Sequence, residues 1–368
     1  MAVVSFARGI PGPDLLPAEE FGACALAAAR KDGARALNYG PPSGYPPLRE
    51  WVAARHGVAP GRVILTTGSL QGFNFVAREF VRRDATVFVE APCYDRSLGI
   101  LRSLRARTVA IPVGEGGVDV EGLAVALEAT PGEKLVYTIP TFQNPSGHTL
   151  GRAGRERLLE VARATGATVL EDDPYGLLRF EGEELPQLFE LAGGDGVVFL
   201  SSFSKTVSPG IRVGYVVLPE ELVGAIEQQV LENYVSPSIF VQAALSEFVH
   251  EGRFEPNLER AREGLRIRRD AMLAALAREA PDGVSWNEPE GGYFLWLDLP
   301  DGVDAGALLA RGEEAGVTFV KGSDFYLDGG GRNAARLAFS FATADEIDVG
   351  VERLAGLVRD AAGVAAPS

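Results

Sequence analysis

Short apolar, β-rich runs separated by stretches of helical spacing fill much of the chain. Val63–Thr66 leads into the helix-like Leu70–Arg82, and Thr86–Val89 into Arg96–Leu104. Leu135–Ile139 precedes the helix-like Arg152–Thr165, and Thr168–Leu170, Val197–Leu200 and Val213–Leu218 are further apolar runs. Runs this short, apolar without alternation, suit strands covered on both faces. The rhythm predicts an α/β domain with a mainly parallel central sheet flanked by helices.

From about Pro219 the pattern turns helical, through Glu220–Glu232 and Ile239–Ala280. The last part mixes the strand-like Tyr293–Leu299, Val317–Val320 and Ala335–Phe341 with the helix-like Ala305–Glu314 and Asp345–Arg359, which predicts a smaller α+β unit. A chain of 368 residues exceeds one ordinary core. The expected division is a large domain over 36–250 and a small one over 251–368. Residues 1–35, with the Gly- and Pro-rich loop from Gly9 to Pro13, are expected to associate with the small domain, although composition alone does not dictate this.

Composition narrows the function. Hydrophobic residues make up 46% and charged residues 23%, as in soluble globular proteins. A net charge of −15 repels nucleic acid from the average surface. No apolar run reaches the ~20 residues of a membrane span, and the start lacks the basic and apolar regions of a signal peptide. With only Cys24 and Cys93 there is no disulfide framework, and His56, His148 and His250 lack metal-ligand spacing. A cytoplasmic protein with no metal, membrane or nucleic-acid partner is expected.

Four stretches carry candidate chemistry. SSFSKTVSPGIRVGY, Ser201 to Tyr215, sets Ser202, Ser204, Lys205 and Arg212 just after an apolar strand. Hydroxyls and a guanidinium suit a phosphate, and a lysine beside them can condense with an aldehyde. LEDDPYG ends a strand with Asp172 and places Tyr175 three residues later. A carboxylate there could keep a pyridine nitrogen protonated. TTGSLQG, Thr66 to Gly72, opens a helix whose N–H groups favour phosphate. In PTFQNPSG, Asn144 precedes Pro145 and can donate to a phenolic oxygen. Read singly, each has a plainer account: a surface lysine, a helix cap or metal pair, an ordinary N-cap, an Asn-Pro turn.

Taken together, these stretches resemble the fold-type I pyridoxal-phosphate (PLP) enzymes of aminotransferase class I/II, in the α-aminoadipate/kynurenine aminotransferase subgroup. The resemblance runs from about Ser5 to Leu357 and includes SFARGIPGPDLLP, LNYGPPSGYPPLRE, EAPCYD, PEGGYFLWLDLP and AARLAFSFA. It implies a homodimeric aminotransferase, moving nitrogen from an α-amino acid (aromatic, branched-chain or aminoadipate type) to a 2-oxo acid. Lys205 would hold PLP as a Schiff base and shuttle the proton. Asp172 would face the ring nitrogen, Asn144 and Tyr175 the phenolic oxygen, and Tyr94 would stack on the ring. Ser69, the backbone of Leu70, Ser202, Ser204 and Arg212 would hold the phosphate, with Tyr39 reaching the neighbouring subunit's phosphate. Arg336, supported by Asn144, would grip the α-carboxylate.

Substrate choice is expected from the opening loop, with Arg8, Gly9 and Ile10, and from Phe142, Tyr293 and Phe325. Arg8 stands where relatives carry a small residue, and the chain begins at that loop, without the leader arginine expected of relatives. Arg8 is therefore a candidate for a distal carboxylate. Other PLP reactions on the same scaffold, β-elimination or decarboxylation, stay open, as does a ligand-sensing regulator module, against which the acidic charge argues.

Overall fold

The computed structural model describes residues 3–363. Eight strands form the large sheet in the order Val63–Thr66, Gly214–Val217, Val197–Ser202, Thr168–Asp172, Lys134–Thr138, Thr86–Ala91, Arg107–Gly114 and Gly117–Val118. The five neighbours from Val197–Ser202 to Arg107–Gly114 pair in parallel. Gly214–Val217 runs antiparallel to both of its neighbours. The inner strands are buried along nearly their whole length, which is why their sequences are apolar runs and not alternations. All parallel strands end at one sheet edge, so Ala91, Thr138, Asp172 and Ser202 come together there.

A second, four-stranded antiparallel sheet runs Ser285–Trp286, Phe294–Asp298, Ala334–Ala338, Val320–Lys321. Its register sets Trp296 opposite Arg336. Val4–Ser5 pairs in parallel with Val317–Thr318, and the Phe6 carbonyl accepts from Ala338 N at 2.7 Å. The opening loop is thereby laid between the second sheet and the edge of the first. Helix Ala18–Ala36 packs on Ile239–His250, and Phe254–Glu279 packs on Ala344–Ala362.

The structure departs from the sequence reading in several places. The single helical stretch expected over Ile239–Ala280 is two helices, Ile239–His250 and Phe254–Glu279. Gly252, at φ +70°, turns the chain between them. The strand expected to Phe341 stops at Ala338, because Ser340 leaves it to donate to the Ile10 carbonyl at 2.8 Å. Several elements were not anticipated, among them helices Ala18–Ala36, Pro46–Arg55 and Val120–Ala129, and strand Arg107–Gly114.

Candidate active site

The hairpin from Val197–Ser202 to Gly214–Val217 is closed by the pair Ser202–Gly214, and Lys205 lies in its connection. Lys205 is half-buried, and its Nζ donates to the Gly9 carbonyl at 2.5 Å. The amine lies 5.3 Å from the Tyr293 ring centre and 5.8 Å from that of Tyr175. Burial, then Arg336 and Arg212, bring its pKa down to about 8, while Asp172 pulls the other way. An amine so placed is a better nucleophile near neutrality than an ordinary lysine.

Asp172 ends its strand in a buried position. Its Oδ2 accepts from the Tyr137 hydroxyl at 2.9 Å, whereas Oδ1 has no partner among the described residues. A buried, unpaired carboxylate oxygen is costly, and it is free to accept an N–H from a bound group. Burial raises the Asp172 pKa to about 7. Asp173 beside it is committed, accepting from Gly176 N at 2.7 Å.

Around the start of helix Ser69–Arg82, Gly68 stands at φ +82°. A side chain at Gly68 would run into the Arg212 guanidinium, and a Cβ at Gly214 would sit 2.5 Å from Ser69 N. Arg212 donates to Ser204 Oγ at 3.1 Å and to the Thr67 carbonyl at 3.2 Å. Ser69, Leu70, Ser204 and Arg212 therefore frame one cradle with the helix dipole behind it. The Ser202 hydroxyl accepts from Ser204 N at 3.0 Å and lies 3.4 Å from the Val213 carbonyl, so it braces the loop from within.

Two cis peptides, Ala91–Pro92 and Asn144–Pro145, set the loops bearing Tyr94 and Asn144. Asn144 is buried, and its Oδ1 accepts from Arg336 Nη1 at 3.0 Å. Arg336 Nη2 donates to the Ala7 carbonyl at 2.9 Å, and its Nε has no partner among the described residues. The guanidinium lies over Phe294 at 4.2 Å and Phe325 at 5.2 Å. Tyr175 is buried, 5.6 Å from the Phe294 ring.

Other expected residues fall elsewhere. Arg8 is exposed, with its guanidinium 5.0 Å from the Phe341 ring centre. The Phe142 ring lies under Arg179 at 4.7 Å and against Gly291 and Gly292. Tyr39 is 81% exposed and takes no part in this protomer's cluster. Sequence reasoning missed Phe294, whose ring closes on both Gly9 and Arg336. It also missed Tyr137, whose only sequence signal is a hydroxyl inside an apolar strand.

The set fits pyridoxal phosphate: a primary amine for its aldehyde, an unpaired carboxylate oxygen for its ring nitrogen, and a helix start with Arg212 for its phosphate. Comparisons with known proteins agree. The family model described as aminotransferase class I and II matches residues 17–354. The 2-aminoadipate transaminase of Thermus thermophilus is 39% identical, over 96% of this chain and 89% of its own. Aromatic-amino-acid aminotransferase 1 of Thermococcus litoralis is 34% identical, over 97% and 88%. The crystal structure of a Thermus thermophilus α-aminoadipate aminotransferase complexed with N-(5'-phosphopyridoxyl)-L-leucine superposes with TM-score 0.94 at 38% identity, covering 98% of this chain and 93% of that one. With the fold, the donor set and these relatives in agreement, the chain belongs to the class I and II aminotransferases, as a pyridoxal-phosphate-dependent enzyme that exchanges nitrogen between amino acids and 2-oxo acids.

Proposed function

We propose that the protein moves the α-amino group of an amino acid with an aromatic or branched apolar side chain to a 2-oxo acid such as 2-oxoglutarate, with Lys205 as the cofactor-binding and proton-moving residue. The observation that carries this reading is the pair of buried, unpartnered polar atoms, Asp172 Oδ1 and Arg336 Nε, among groups that act electrostatically on the Lys205 amine. One atom suits a protonated ring nitrogen and the other a carboxylate.

When bound, pyridoxal phosphate supplies an electron sink for the bonds at the substrate Cα. Lys205 takes the Cα proton in its neutral form and returns it from the ammonium form. Asp172, as carboxylate, holds the ring nitrogen protonated. Asn144 and Tyr175 hold the phenolic oxygen, Tyr94 stacks on the ring, and Ser69, Leu70 N, Ser204 and Arg212 hold the phosphate, with Ser202 supporting Ser204. Arg336 binds the substrate carboxylate by two N–H groups while Asn144 braces it.

The rings of Phe294 and Phe325 beside Arg336 favour an apolar donor side chain. Arg8, exposed in the opening loop beside Phe341, makes no ion pair among the described residues and is the candidate for a distal carboxylate, such as that of aminoadipate or glutamate. Gly9, next in the chain, packs against the Phe294 ring and accepts from Lys205 Nζ.

The working unit in this reading is a homodimer. Leu37, Tyr39, Leu231 and Val235 are all exposed, at 73, 81, 47 and 47%, and Gly40 N donates to Ser236 Oγ at 3.3 Å, tying the two segments together. An exposed apolar group of this kind suits a second copy, with Tyr39 reaching the neighbour's phosphate. Two free cysteines suit a reducing cytoplasm, and the large unit over 36–250 carries the cofactor groups. Borohydride reduction of the holoenzyme followed by peptide mapping should find the pyridoxyl label on Lys205; a label on any other lysine overturns the reading.

A further inference from the structure

We propose that Tyr137 is a positioning residue for Asp172: a hydrogen-bond chain from Ser97 through Tyr137 fixes the carboxylate so that Oδ1 alone is left for the cofactor's ring nitrogen. The inference rests on the assignment of Asp172 to that nitrogen.

Three elements build the chain. Ser97 stands on helix Asp95–Ser103, just after Tyr94. Tyr137 lies on strand Lys134–Thr138, opposite Leu170 in the parallel register, so its side chain shares a sheet face with Leu170 and Asp172. Ser97 Oγ donates to the Tyr137 hydroxyl at 3.0 Å, and that hydroxyl donates to Asp172 Oδ2 at 2.9 Å. A phenol has a single proton. By accepting from Ser97, Tyr137 is left to point that proton at Asp172. Ser97 and Tyr137 are both fully buried, so bulk solvent does not reach their hydroxyls. The Phe73 ring stands edge-on to Tyr137 at 4.6 Å and 60°, which stops the phenol from swinging away.

The chain also acts on charge. Burial, with Asp173 and Glu90 nearby, pushes the Asp172 carboxyl up to about 7. The Tyr137 hydrogen bond is the strongest influence in the other direction, ahead of Lys205. Without the hydroxyl, Oδ2 would join Oδ1 as a buried atom lacking a donor, and the neutral acid would be favoured at working pH. A neutral carboxyl stabilises a pyridinium poorly. The helix start that presents Tyr94 to the ring face thus also fixes, two bonds away, the group that meets the ring nitrogen.

The test compares two cofactors on the full chain stripped of cofactor: pyridoxal phosphate, and the carbocyclic analogue with C–H in place of the ring nitrogen. Both offer the same aldehyde and phosphate, so the Kd of the analogue divided by that of pyridoxal phosphate isolates the nitrogen contact. Tyr137→Phe is expected to weaken pyridoxal phosphate by about tenfold or more, as loss of a bond to a charged group does, and to change the analogue's Kd by less than about threefold. Ser97→Ala should lower the ratio in the same sense, by less. A Tyr137→Phe variant that weakens both ligands equally has only a structural defect, and the proposal fails. Should that variant not fold, Ser97→Ala must still lower the ratio, and an unchanged ratio overturns the proposal. Asp172→Asn separates the two levels of the argument. If it leaves the ratio at wild type, the nitrogen assignment itself is wrong; if it collapses the ratio while Tyr137→Phe does not, only the positioning role is wrong.

Discussion

Replacing Arg336 by Met should uncouple function from stability. The guanidinium is buried and, among the described residues, has no paired carboxylate; it is held by Asn144 Oδ1, the Ala7 carbonyl and two aromatic faces, with Nε unpartnered. Removing it leaves two acceptors without donors, at about 1–3 kcal/mol each. It also relieves a buried charge whose desolvation costs several kcal/mol. These effects nearly cancel, and Met fills most of the volume, so the Tm of the holoenzyme should move by no more than about 5 °C. Catalysis has no such compensation. A two-point contact to the substrate carboxylate is worth roughly 3–4 kcal/mol in a buried site, or about 10²–10³ in kcat/KM. The assay is a single half-reaction followed by cofactor absorbance, comparing an amino acid with the amine of the same side chain that lacks the carboxylate. The variant should lose its advantage for the amino acid while the amine reacts as before. Equal losses on both compounds would refute the carboxylate role. A fall in Tm far beyond 5 °C would show that the guanidinium is a structural tie.

Other expectations follow from the same geometry. Capture of pyridoxal phosphate by the stripped protein should rise about tenfold between pH 7 and 9 and then level, since an amine with pKa about 8 goes from ~9% to ~91% neutral over that range; a rate still climbing towards pH 11 would mean an ordinary lysine. Arg8→Ala should lower kcat/KM for an acidic donor about tenfold while an aromatic donor barely changes; equal effects, or none, would leave an apolar pocket as the sole determinant. Arg155 is fully buried and donates to the carbonyls of Pro140, Leu150 and Pro186 and to Thr141 Oγ1. Arg155→Leu should therefore cost about 3–5 kcal/mol in urea unfolding, and a loss under 1 kcal/mol would show that those carbonyls find other donors.

The grouping of the candidate cofactor residues was legible because they sit in contiguous motifs at strand ends, where spacing alone fixes their relation. Lys205, Ser204 and Arg212 share one hairpin connection, and Asp172 ends one strand. Tyr137 was hidden for the opposite reason. Its relation to Asp172 is set by strand register across the sheet, which no linear spacing encodes. Phe294 reads as one apolar residue in a strand, and only the fold carries its ring to Gly9 and Arg336. Among the elements, Arg107–Gly114 escaped because it lies towards the sheet edge and its residues are mostly exposed or half-buried. Helix Val120–Ala129 is short, and its clearest signal is the Asp119 cap, which accepts from Gly122 N at 2.9 Å. The break at Gly252 was missed because glycine inside a helical pattern is often tolerated.

The closed hairpin around Lys205 has a bearing on how such proteins diversify. Its two strands are held in register from Phe199–Val217 to Ser202–Gly214, so Ser202, Ser204, Lys205 and Arg212 form one short, contiguous block of sequence. Arg8, Gly9, Phe294 and Arg336 come from three distant parts of the chain. A change at Arg8 or Phe294 would therefore alter what lies around Arg336 while leaving the hairpin untouched.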